Sequence, residues 1–171
     1  MFGQIQRLTG RGKDRAAAAA QQMGLEAAAA LARRMAAPGV GWEQVLARAI
    51  DVMCHSGDSA LPAPGQTKAL DAALGFLAQA PAPTRQKLID VVWLVEAGGR
   101  VMASPRAPFS SLSLEQATAY LAQWEGAALE PMRAAFAGLK SVCMIGYWSR
   151  PGTWEAIGYG LDTELEGEEA G

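Results

Sequence analysis

The chain has 171 residues, half of them apolar and 19% charged, which suits one soluble domain with a core of its own. A formal charge of −2 gives no general case for nucleic-acid binding, but the charge is unevenly spread. Asp162, Glu164, Glu166, Glu168 and Glu169 all fall in the last ten residues, leaving 15 basic against 12 acidic residues, +3, in the first 161. Leu165 is the one large apolar side chain in that final stretch, so 162–171 is expected to be a flexible acidic tail. Residues 1–161 read as a single helical domain whose first 13 residues form a loosely ordered basic arm.

Residues 14–36 are the strongest helical window, because alanine has the highest helix propensity. Met23, Ala27, Leu31 and Met35 recur every four residues as an apolar stripe, and Pro38, Gly39 and Gly41 end the run. A second helix is predicted over Trp42–Met53, with Val45, Leu46, Ala49 and Ile50 on one face. The Gly, Pro and Ser content of "HSGDSALPAPGQ", 55–66, marks a loop. A third helix follows over 67–79, with Leu70, Leu74 and Leu77 inward.

The fourth helix, Thr84–Met102, contains the most apolar run, "KLIDVVWLVE", and is expected to be central. Gly98 and Gly99 either weaken its last turn or permit a close contact. After a loop at 104–113, Ser113 and Gln116 have the spacing of a capping box. Leu114, Ala117, Tyr120, Leu121 and Trp124 then form the buried face of a fifth helix. Pro131 suits the first turn of a sixth, whose apolar face reads Met132, Phe136, Leu139, Cys143 and Gly146. With no repeat and no strand pattern, the expected fold is all-α: a compact bundle of about six helices with an aromatic C-terminal turn.

Catalytic devices are missing from the sequence. His55 is the single histidine, and its neighbour Cys54 has no partners at metal-ligand spacing. "GRG" at 10–12 lacks the strand and third glycine of a dinucleotide loop. Cys54 and Cys143 read as two reduced core thiols, with one disulfide left open. No catalytic, metal or cofactor-binding residue is therefore assigned. No leucine-rich leader follows the N-terminus, Arg33-Arg34 is not followed by a signal, and no membrane span is found, so a cytoplasmic protein is expected.

The chemistry concentrates in "CMIGYWSRPGTWEAIGY", 143–159, which carries half of the eight Trp and Tyr residues. Pro151 and Gly152 suggest a turn, Thr153 a cap for a short "WEAI" turn, and Gly158 its stop. Such rings bury large area at low entropic cost and keep a polar group for a partner. A docking surface and a small core are both compatible with the composition.

The segment "MRAAFAGLKSVCMIGYWSRPGTWEAIGYG" resembles the C-terminal signature of the gluconate 2-dehydrogenase subunit 3-like family. The resemblance rests on Leu139-Lys140, Gly146-Tyr147-Trp148, Pro151, Trp154 and Ile157-Gly158-Tyr159. It implies a non-catalytic small subunit that binds and stabilises a larger FAD-dependent subunit of the glucose–methanol–choline (GMC) oxidoreductase type. FAD and the catalytic base would then lie in that partner, and this chain alone would bind no cofactor. The implied partner-binding residues are Tyr147, Trp148, Arg150, Pro151, Trp154, Ile157, Gly158 and Tyr159. The alternative is a stand-alone helical protein that binds a small molecule in an aromatic-lined pocket.

Overall fold

A computed structural model describes residues 24–55, 57 and 60–159. The expectations for the basic arm at 1–13, the start of the first helix and the acidic tail at 162–171 lie outside the described residues. Among those described, seven α-helices and one 3-10 turn account for the regular structure, without a strand. They are α1 (24–35), α2 (Trp42–Met53), α3 (Ala69–Gln79), α4 (Ala82–Met102), α5 (Leu114–Glu125), α6 (Glu130–Trp148) and α7 (Pro151–Ala156). The 3-10 turn covers Phe109–Ser111.

The middle of the fold is α6 packed with α2, not α4 as its apolar run suggests. Helix α6 touches α2, α3, α4, α5 and α7, and packs most extensively on α3. Glycine makes that last contact possible. A Cβ on Gly146 would stand 2.6 Å from the Ala69 carbonyl oxygen and 2.9 Å from the Ala73 Cβ, so only glycine fits. Ala69 and Ala73 are accordingly the buried face of α3 along with Leu77, while Leu70 and Leu74 are only half-buried.

Helix α2 buries the face read from its sequence, Val45, Leu46, Ala49 and Ile50, together with Val52. The α5 face holds at Ala117, Tyr120, Leu121 and Trp124, whereas Leu114 in the first turn faces outward. The capping box is present in full. Gln116 N donates to Ser113 Oγ (3.2 Å), and Ser113 N donates to Gln116 Oε1 (3.0 Å).

Helix α4 starts two residues before its expected start, at Ala82 behind Pro81, and continues unbroken through Gly98 and Gly99. The close-contact reading of that glycine pair is the one observed. A Cβ on Gly99 would lie 2.9 Å from Phe109 N. Gly98 faces the Tyr120 hydroxyl, which donates to Val95 O at 2.8 Å.

The buried face of α4 also holds two carboxylates that its periodicity conceals. Glu96 is fully buried and accepts from Ser110 N (2.8 Å), Ser110 Oγ (2.8 Å) and Ala37 N (3.4 Å). Asp90 accepts from the Arg33 guanidinium and from Gln86 Nε2 (2.9 Å). Helix α1 is thereby held against α4, and Arg100 Nε completes the attachment by donating to Met35 O (2.7 Å).

That attachment overturns the α1 stripe. Ala29 and Ala32 are buried, whereas Ala27 and Leu31 are exposed and Met35 is only half-buried. The Arg33–Asp90 pair fixes the rotation of α1 about its axis, and small alanines permit the close approach.

Candidate functional site

The C-terminal end is built by polar contacts that fold α7 back onto α6. Helix α6 closes at Ser149, whose N–H donates to Ile145 O (3.0 Å). Pro151 then opens α7 at its first position, where a missing N–H costs nothing, so this proline begins a helix as well as ending one. Thr153 is fully buried and does not cap the turn after it. Its hydroxyl reaches back to the carbonyls of Tyr147 and Arg150, each at 2.8 Å. Trp154 Nε1 donates to the Trp148 carbonyl, a second link across the reversal.

The "WEAIGY" ending has a local physical explanation. Gly158 adopts φ +72°, its N–H donates to Glu155 O (3.0 Å), and Tyr159 N donates to Trp154 O (2.8 Å). This pair of bonds around a left-handed glycine is a Schellman helix stop. The hydrophobic contact that accompanies the motif is made by Trp154 and Tyr159, whose rings meet edge to face at 6.5 Å. The Trp–Gly–Tyr spacing is therefore what ends α7.

The eight implied partner-binding residues separate into two groups. Tyr147 is 1% exposed and belongs to the core, its hydroxyl donating to Pro62 O at 2.8 Å. Arg150 is half-buried and spends its Nε on Thr67 O (2.9 Å), tying the α6–α7 turn to the start of α3. Trp154 is half-buried too. Trp148, Pro151, Ile157, Gly158 and Tyr159 face solvent.

The surface also includes a residue that sequence reasoning missed. Ile145 lies one turn before Trp148 on α6 and is 39% exposed, beside Trp148 at 38%, while Ile157 and Tyr159 are 56% and 59% exposed. Its signal was available: it lies off the Leu139, Cys143 and Gly146 stripe that the spacing marks as the inward face of α6. The other exposed large apolar residues, such as Leu31, Phe76, Val101 and Leu129, belong to other parts of the chain.

Two concavities lie on the surface of the described residues. An open apolar groove of about 550 Å³ runs between the end of α2 and the outer side of α5, with Val52, Leu114, Ala119 and Ala122 along it and His55 and Glu115 among its polar residues. A smaller notch of about 270 Å³ lies where α3 and α7 begin. Among the described residues, no Phe, Tyr or Trp lines either of them.

Both cysteines are free, buried thiols, and Cys54 Sγ lies 3.7 Å from Cys143 O. Burial pushes the Cys54 thiol up to about 11 and Cys143 higher still, so neither is a nucleophile near neutral pH. No group of three metal-ligating side chains occurs among the described residues. No described helix is long and apolar enough to cross a membrane.

In comparisons with known proteins, no family model matches this chain, no curated protein is detectably similar to it in sequence, and no solved structure matches it.

Proposed function

We propose that the chain is a non-catalytic small subunit that binds and stabilises a larger FAD-dependent GMC-type dehydrogenase subunit. One observation carries this reading. Ile145, Trp148, Ile157 and Tyr159 are exposed together on an end that internal hydrogen bonds hold rigid. Such a surface loses little conformational entropy when a partner covers it, and aromatic side chains of this kind supply most of the energy in hot spots. The resemblance of 132–160 to the gluconate 2-dehydrogenase subunit 3-like family supplies the identity of the partner, with FAD and the catalytic base on that larger chain.

The test is co-purification of the tagged chain from its native host, followed by an absorption spectrum. The expected eluate is yellow, contains a much larger flavoprotein, and loses both when Trp148→Ala and Ile157→Asp are combined. A colourless monomer, or a companion retained by the double variant, overturns the proposal.

A further inference from the structure

The notch at the starts of α3 and α7 is lined by Gln66, Thr67, Lys68, Arg150 and Gly152, with two prolines. Among the described residues its lining contains two cations and no acidic side chain; Asp71, in the first turn of α3, lies outside it. Neither Lys68 nor Arg150 forms an ion pair among the described residues. The bond from Arg150 Nε to Thr67 O fixes the guanidinium and leaves both Nη groups without a partner among the described residues.

The remaining polar side chains are Gln66 and Thr67. Gln66 commits Oε1 to Ala63 N (3.1 Å), so its free amide nitrogen is what remains to offer. Thr67 turns its hydroxyl to Pro64 O (2.8 Å). Lys68 is the N-cap of α3 but makes no side-chain capping bond, which leaves N–H groups of the first turn open. The two unpaired cations outweigh the one hydroxyl oxygen left on Thr67, so the notch disfavours a cation and suits a compact anion.

We infer that this notch is an oxyanion-binding site, taking a carboxylate or a phosphate between Lys68 and Arg150. The fixed guanidinium supplies paired N–H groups at the planar spacing of such a ligand, and Lys68 supplies the second charge. The inference stands independently of the partner proposed above, because the oxyanion belongs either to a free small molecule or to the acidic side chain of a protein.

The experiment is amide NMR of the full chain, titrated at constant ionic strength with inorganic phosphate, with citrate and with a blocked tetraglutamate peptide. Saturable shifts confined to Gln66, Lys68, Gly152 and their neighbours are expected for at least one probe. Lys68→Asn removes the cation while keeping a residue that tolerates the left-handed φ of 55° at this position. It should weaken binding at least fivefold with an unchanged spectrum elsewhere. Tighter binding of phosphate or citrate than of the peptide assigns the site to a small molecule, and the reverse order assigns it to a protein carboxylate. Shifts no larger than those from added chloride, or equal affinity in Lys68→Asn, overturn the inference.

Discussion

Two aromatic clusters in this protein use the same residue types to opposite ends. Phe109, Tyr120 and Trp124 meet at 5.9 and 6.3 Å inside the core, and all three are buried. Tyr147 and Trp148 meet at 5.1 Å, and Trp154 and Tyr159 at 6.5 Å, but only Tyr147 of these four is buried. Ring-on-ring geometry therefore does not distinguish a core from a surface. The difference lies in what covers the outer faces: α4 packs over the first cluster through Gly98 and Gly99, whereas in the second Tyr147 is covered but Trp148 and Tyr159 are left exposed.

The comparison is broken most forcefully from the inner side. Phe109→Ala should cost about 3–5 kcal/mol in urea unfolding, because the emptied site is enclosed on every side. Glu96→Gln should cost about 1–3 kcal/mol by the same measurement. Its amide nitrogen would face a donor where the carboxylate now accepts from Ser110 N, Ser110 Oγ and Ala37 N.

The outer cluster should respond more weakly. Trp154→Phe removes the Nε1 donation to the Trp148 carbonyl and is expected to cost about 1 kcal/mol, read as a lower Tm. Tyr159→Ala should change the stability of the isolated chain by no more than about 0.5 kcal/mol. The same variant should weaken the proposed complex by about 2 kcal/mol or more, measured by titration calorimetry, if Tyr159 is an anchor. A large stability loss with unchanged complex affinity would reverse the contrast between the clusters.

Alkaline pH tests the inner side without mutation. Burial raises Cys54 from an ordinary 9.0 to about 11, and Cys143 and Tyr120 shift in the same direction. The unfolded chain releases these protons first. Their stabilising contribution is full below pH 9 and is lost as the pH rises through the folded values, so unfolding free energy should fall from about pH 9 to 11. A flat profile over that interval would show that these groups are solvated in the folded chain.

Helix positions, the capping box at Ser113 and Gln116, the inward face of α2 and the aromatic C-terminal end were all legible from the chain. They are local features: propensity, periodicity and turn chemistry act over a few residues and need no partner element. The Trp154–Gly158–Tyr159 spacing belongs with them, since a helix stop accounts for it.

Tertiary structure decided what periodicity cannot express. It turned α1 so that Ala29 and Ala32 face inward and Leu31 faces out, because Asp90, 57 residues away, captures Arg33. Close packing on Gly146 made alanines, not leucines, the inner face of α3. It placed Tyr147 in the core and left its neighbour Trp148 outside, since successive helical residues point about 100° apart and Tyr147 is the one that reaches Pro62. The sequence by itself determined which segments are helical and which residues are aromatic. Which rings remain for a partner depended on contacts between segments distant in the chain.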